Sequence, residues 1–215
     1  MNSRKLTGLF FKTLVIGGVV GLVTSFFVKS ASYANNLNPI DWMELIGLLF
    51  FFVGLGLVFS VISQTGFFAY LFINQFGLSL FRSYWSAVQV LLIAFVLFDL
   101  IYFPYINTND DISLLWFILM AVVIFVYGWI VSVIKVRATN RRAFIPSLFL
   151  MVVMTSVEWV PGLTAKGTDY AWLMIVPLLV CNTYQLLILH KLTGRKEGTA
   201  DHNDQTSVRT ATKKS

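Results

Sequence analysis

Charged side chains are scarce in this sequence. Asp, Glu, Lys and Arg make up 12% of the 215 residues, about half of what a soluble domain carries. Hydrophobic residues make up 57%, and they fall in blocks of roughly 20 residues, the length that crosses a hydrocarbon core as a helix. This pattern excludes a soluble globular domain. We therefore expect an all-α, polytopic membrane helix bundle.

Residues with reactive side chains are also few. The single cysteine, Cys181, excludes a disulfide or a cysteine zinc site within one chain. There are two histidines, and H-E-x-x-H, P-loop, G-x-G-x-x-G and Ser-His-Asp patterns are missing from the sequence. We therefore expect no enzymatic activity, no metal, no cofactor and no nucleic-acid partner.

The apolar blocks predict about six spanning helices within a bundle that covers residues 1–190. Their approximate bounds are 6–28, 42–64, 85–103, 113–134, 144–160 and 170–190. Ser32-Tyr33-Ala34 matches a small-x-small signal-peptidase site, but the preceding block contains Lys12 and precedes Lys29, which favours an uncleaved first helix. Residues 191–215 are polar and without apolar periodicity, and we expect a disordered, basic cytoplasmic tail.

A seventh apolar stretch, residues 66–81, is short for a span and contains Asn74 and Gln75. Lys and Arg in short loops favour the cytoplasmic side. With six crossings and both termini cytoplasmic, the inside holds 14 of 16 basic and three of ten acidic residues (net +11), and the outside holds two and seven (net −5). If 66–81 spanned, the basic loop 135–142 would face out. We therefore expect a re-entrant or interfacial helix at 66–81.

Three carboxylates lie inside predicted spans, each within about two turns of the outer end: Glu44, Asp99 and Glu158. Charged groups at membrane depth are costly and face the bundle interior. Together they predict either a shared acidic pocket that binds a cation or small ligand, or single carboxyls hydrogen-bonded to neighbouring helices, which we favour. Asn182 and Gln185 face one way on the last helix and offer interhelical hydrogen bonds.

Small residues and basic residues mark two further features. Gly17 and Gly21 form G-x-x-x-G, and Gly56 with Ser60 repeats the small-residue spacing, which permits close helix packing. We expect packing inside this bundle rather than against a partner. The predicted cytoplasmic basic face contains Arg82, Lys135, Arg137, Arg141 and Arg142.

Three longer strings carry a family resemblance. SVISQTGFFAYLFINQFGLSLFRSYWSAVQVLLIAFVLFDLIY (60–102), FIPSLFLMVVMTSVEWVP (144–161) and PLLVCNTYQLL (177–187) resemble the KinB-signalling pathway activation family, KbaA, of spore-forming bacteria. The resemblance covers about residues 4–190. It implies a cytoplasmic-membrane protein of about six helices that enables the sensor histidine kinase KinB, which feeds the sporulation phosphorelay. It implies no enzymatic activity and no established binding residues.

The sequence thus predicts a membrane-embedded accessory regulator that activates a KinB-type kinase by helix–helix or cytoplasmic-face contacts. Its expected partners are that kinase and the lipid bilayer. The alternative is a small transporter or ligand-sensing membrane protein that uses the outer carboxylates. A membrane enzyme is the third possibility, and it lacks a supporting motif.

Overall fold

The described residues form a bundle of helices. The computed structural model describes residues 3–37, 42–107, 114–164 and 168–193, and the regular elements within these ranges are helical, without a strand. The α-helices are α1 Ser3–Val28, α2 Ser30–Leu37, α3 Trp42–Phe81, α4 Trp85–Asn107, α5 Leu114–Ala138, α6 Phe144–Phe149, α7 Thr155–Thr164 and α8 Thr168–Thr193. Residues 194–215, most of the predicted tail, lie outside the described part.

Five segments of the described residues are long and apolar enough to cross a membrane. They are Leu6–Val28, Trp42–Tyr102, Phe117–Ala138, Arg141–Val160 and Tyr170–Leu189. Trp42–Tyr102 includes two helices, α3 and α4, because only a short 3₁₀ turn at Arg82–Tyr84 separates them. The apolar blocks of the sequence thus become helices whose length and composition are compatible with a membrane protein.

Residues 66–81 do not form the separate short helix that the sequence predicted. They continue α3, which runs for 40 residues without a break. The reason is local: α3 contains no proline, and the Thr65 hydroxyl donates to Val61 O on its own helix at 3.0 Å, a bond that a continuous helix accommodates. Gly66 does not form a turn; instead, its missing side chain allows the Glu158 carboxyl group to approach the backbone of α3. Whether 66–81 enters a bilayer stays a prediction.

Small residues bring α1 and α3 into close contact. A Cβ added at Gly21 would lie 2.5 Å from the Gly56 Cα, and one at Gly56 would lie 2.5 Å from the Gly17 carbonyl oxygen. The Ser60 hydroxyl donates to the Thr13 carbonyl at 2.8 Å across the same contact. The two small-residue pairs of the sequence therefore lie against each other inside the bundle.

The fifth predicted span is the centre of the bundle. It comprises α6, a five-residue π-helix at Leu150–Met154, and α7. In its most apolar window 67% of residues are buried, against 22–50% in the other four segments. Residues 147–156 are all buried, so protein surrounds this part of the helix on every side, whereas Val157 and Val160 further along are exposed.

Two hydrophobic clusters lie along α3. The Trp159 cluster includes Phe52, Phe59, Trp159, Met174 and Leu178. The Phe149 cluster includes Phe67, Tyr70, Phe149, Met151 and Leu186. On α3, on α8 and along the π-helix and α7, a short polar stretch separates the residues of one cluster from those of the other.

Candidate functional site: a buried polar cluster

Seven polar side chains, which we call the polar cluster, lie between the two hydrophobic clusters. Their relative exposures are at most 7%, so they are shielded from both lipid and water. The residues are Ser60, Ser63, Gln64, Thr155, Glu158, Asn182 and Gln185. Because helical positions three and four apart share a face, Ser60, Ser63 and Gln64 point from α3 toward α7 and α8.

Asn182 is the centre of the polar cluster. Its Nδ2 donates to Thr155 Oγ1 at 2.9 Å and to Glu158 Oε2 at 2.8 Å. Its Oδ1 accepts a 2.7 Å hydrogen bond from Ser63 Oγ. One amide therefore connects α3, α7 and α8, and both of its Nδ2 protons are used.

A second set of bonds extends the polar cluster along α3 and α8. Gln185 Nε2 donates to Ser63 Oγ at 2.9 Å, so this hydroxyl both accepts and donates. Gln64 Nε2 donates to Ser60 Oγ at 3.2 Å, and Ser60 in turn donates to Thr13 O on α1. The polar cluster thus fixes the axial positions of four helices relative to one another.

Glu158 has one satisfied and one unsatisfied oxygen. Oε2 accepts from Asn182, whereas Oε1 is buried without a hydrogen-bond partner among the described residues. The carboxyl lies against the backbone of Gly66, where an added Cβ would overlap Glu158 Oε1 and lie 2.6 Å from its carboxyl carbon. Only glycine at position 66 leaves room for this carboxyl group.

The π-helix determines which residues face the polar cluster. Leu150–Met154 is wider than an α-helix, and Thr155 Oγ1 donates to Leu150 O, five residues earlier, at 3.3 Å. π-bulges occur frequently at functional sites. Here the π-helix comes directly before Thr155 and Glu158, and its wider turn shifts the register that directs them to α8.

The three predicted intramembrane carboxylates have different surroundings. Glu158 is buried, Asp99 on α4 is half-buried, and Glu44 is exposed near the start of α3. Among the described residues no group of three His, Cys, Asp or Glu side chains could hold a metal ion. The structure brings Glu158 together with Asn182 and Gln185, and not with the other two acids.

The predicted basic face divides into exposed and buried residues. Arg82, Arg137, Arg141 and Arg142 are exposed. Lys135 is 5% exposed, and its Nζ donates to Leu186 O on α8 at 2.5 Å. Lys135 is therefore not part of an exposed basic face. It connects α5 to α8, because its long side chain reaches across the interface between the two helices.

Sequence reasoning placed Thr155 on the same helical stripe as Glu158, and it missed Ser63 and Gln64 on α3. The spacing Ser60-x-x-Ser63-Gln64 and the pair Thr155-x-x-Glu158 each place polar groups on one helix face, a signal that the sequence contains. The π-helix has no such signal. A separate apolar groove of about 440 Å³ lies between α1 and α8, lined by Val20, Val23, Thr24, Phe27, Val28, Trp172 and Val176, and includes no residue of the polar cluster.

Comparison with known proteins defines the class of this fold and site. A family model described as "KinB-signalling pathway activation in sporulation" matches residues 17–192, a range that contains the polar cluster. The chain belongs to this family, KbaA. The family name describes a pathway activator rather than a catalyst.

A particular relative supports the same assignment. The KinB-signaling pathway activation protein of Bacillus subtilis (strain 168) is 36% identical over 198 residues, which cover 91% of this chain and 100% of the relative. No solved structure matches.

Proposed function

We propose that this chain is an integral membrane protein that activates a KinB-type sensor histidine kinase and so promotes entry into sporulation. The observation that carries the proposal is the 36% identity to a protein named for this task, over the whole length of that relative. Activation would occur through contacts with the kinase and not through catalysis.

The proposed topology has six crossings and cytoplasmic termini. The crossings are α1, the first part of α3, α4, α5, the α6–α7 helix and α8. In support, α4 folds back along the end of α3, since Trp85 and Gln89 both donate to Asn74 Oδ1. The exposed residues Arg137, Arg141 and Arg142 would then lie on the cytoplasmic side, as the positive-inside rule requires.

The proposed mechanism is a shift in the conformations of the kinase. A partner that contacts two conformations equally shifts nothing, so the chain must bind the active conformation more tightly. A tenfold shift needs about 1.4 kcal/mol, which a few packed helix contacts supply. Within this scheme the polar cluster holds α1, α3, α7 and α8 rigidly in place relative to one another.

Purified chain and full-length KinB-type kinase, reconstituted together in liposomes, test the proposal. We expect the chain to raise the autophosphorylation rate of the kinase several-fold over kinase alone. An unrelated six-helix membrane protein is the control for nonspecific effects of crowding in the bilayer. Equal rates with and without the chain would contradict the proposal.

Two substitutions distinguish activation of the kinase by direct contact from a mechanism that needs a carboxylate for catalysis or transport. Asp99→Asn removes a half-buried carboxylate with little change in shape, and we expect it to leave kinase activation unchanged. Glu158→Gln keeps an oxygen that accepts from Asn182, and we expect it to retain most of the activation. Loss of activation in well-folded Asp99→Asn would favour the alternative, a transporter or sensor that uses this carboxylate.

A further inference from the structure

We propose that the end of the α3–α4 hairpin is a docking surface for an acidic helix of a membrane partner. This inference rests on the proposed function, in which that partner is the kinase. The hairpin end combines exposed apolar, amide, hydroxyl and cationic side chains. Its residues are Gln75, Phe76, Ser79, Leu80, Arg82 and Tyr84.

The length of α3 shows that lipid cannot cover all of its apolar surface. Forty residues at 1.5 Å per residue span about 60 Å, and a hydrocarbon core is about 30 Å thick. Even at a tilt of 40°, the upper end of the observed range, α3 would still project over about 46 Å. Exposed large apolar side chains nevertheless occur from Trp42 to Phe81, so part of this apolar surface lies beyond the hydrocarbon core and is available to another protein surface.

The hairpin end contains two residue types that often carry binding energy at interfaces, tyrosine and arginine, beside exposed apolar side chains. Tyr84 is 77% exposed, Leu80 is 62% exposed and Phe76 is 59% exposed. Tyrosine and arginine are enriched among interface hot spots. Gln75 is exposed on the same helix, and its amide would need a hydrogen-bonding partner in an apolar environment.

Arg82 indicates the charge of the partner. Its guanidinium is exposed, and it makes no ion pair or side-chain hydrogen bond with any other residue that the structure describes. Its backbone has φ 47°, a left-handed conformation that is strained for a residue other than glycine. Glycine would fit this turn better than arginine, so the backbone does not explain why an arginine stands here. We therefore assign its exposed guanidinium to an ion pair with a carboxylate of the partner.

The hairpin end is held rigidly. Trp85 is 5% exposed, its ring stacks on Phe81 with centroids 6.0 Å apart, and its Nε1 donates to Asn74 Oδ1 at 2.9 Å. A Cβ on Gly77 would lie 2.5 Å from the Trp85 ring, so this contact needs glycine. A pre-organised surface loses less entropy on binding.

The test compares substitutions at Arg82 that separate charge from folding. Arg82→Gly removes the guanidinium but suits the left-handed turn, so the protein should be at least as stable as wild type. Arg82→Lys keeps the charge. We expect Arg82→Gly to weaken binding to the reconstituted kinase at least tenfold, or 1.4 kcal/mol, and Arg82→Lys to bind within threefold of wild type.

Two further variants complete the design. Tyr84→Ala should also weaken kinase binding, because it removes the most exposed aromatic side chain of the hairpin end. Arg142→Ala is the matched control, since Arg142 is an exposed cation in the other short 3₁₀ turn, and it should bind like wild type. Each protein is checked by thermal unfolding in detergent and by crosslinking to the kinase from position 83, an exposed residue of the same turn.

The outcomes distinguish this inference from the proposed function. If wild-type chain activates the kinase and stable Arg82→Gly binds it equally well, the docking surface is wrong and the function stands. Equal losses from Arg142→Ala and Arg82→Gly would also overturn it, because the effect would then be general cationic attraction. Crosslinking of position 83 to a second copy of this chain instead of the kinase would overturn the inference and show that the hairpin end is a self-association surface.

Discussion

Glu158 and Gly66 define the tightest contact of the polar cluster. A carboxyl oxygen lies where any larger residue at position 66 would place its Cβ. The carboxyl cannot move freely, since its other oxygen is hydrogen-bonded to Asn182. At this scale the sequence showed that Glu158 faces protein, but its contact with Gly66 depends on how α3 and α7 pack, which one sequence does not reveal.

Gly66→Ala should destabilise the protein by about 1–3 kcal/mol, the range for overpacked cores. Gly54→Ala is the control on the same helix: nothing lies within 4 Å of a Cβ there, so alanine should be neutral or stabilising by up to about 1 kcal/mol. Unfolding in mixed detergent micelles measures both. Coupling of Gly66→Ala with Glu158→Ala should exceed about 0.5 kcal/mol, and strict additivity would refute the contact.

Asn182→Ala should cost about 2 kcal/mol. It removes three interhelical hydrogen bonds, and such bonds in membrane proteins average about 0.6 kcal/mol each. Thr65→Ala provides the comparison, because Thr65 is exposed and bonds only its own helix backbone. Similar stability of the two variants would mean that the polar cluster contributes nothing to the bundle.

At the scale of elements, the apolar blocks of the sequence predict where the helices lie. They do not predict where each helix ends, or that α3 continues through residues 66–81 without a break. The break expected near position 65 does not occur, because Gly66 and Thr65 fit a continuous helix. The actual turn comes at Arg82, a residue whose identity gives no hint of a left-handed conformation. The π-helix is equally invisible in sequence, since it arises from packing around α6 and α7.

A distance measurement distinguishes a continuous α3 from two joined helices. Spin labels at Ile46 and Leu78, both exposed, in a Cys181→Ser background are 32 positions apart, or about 48 Å along a helix. We expect a single distance distribution centred near this value in electron double resonance. A distance under about 30 Å would mean that α3 folds back near its middle.

At the scale of the whole molecule, the distribution of charged residues predicts the orientation of the chain in the membrane. The burial of each helix shows which helix lies at the centre of the bundle. The helix of α6, the π-turn and α7 is central, although its sequence is no more apolar than that of its neighbours. Its serine, threonine and glutamate residues were the available signal for that position. The groupings of Glu158 with Asn182, and of Lys135 with α8, required the three-dimensional arrangement.

Accessibility labelling tests the proposed orientation. Tyr84 and Thr139 are exposed residues in the two turns assigned to the cytoplasm. Cysteines at these positions, in the Cys181→Ser background, should resist a membrane-impermeant maleimide in intact cells and react in inverted vesicles. Cysteines at positions 108 and 165 should behave in the opposite way, and reaction of 139 from outside would exclude six crossings.

The all-round burial of the central helix has a consequence for biosynthesis. Glu158 is synthesised 24 residues before Asn182, the residue that donates a hydrogen bond to it. At 5–20 residues per second, the ribosome needs roughly 1–5 s to add Asn182. During that interval the nascent helix exposes a carboxyl that hydrocarbon disfavours. Insertion of this segment should therefore wait inside the translocon, or beside a membrane insertase, until the last helix emerges.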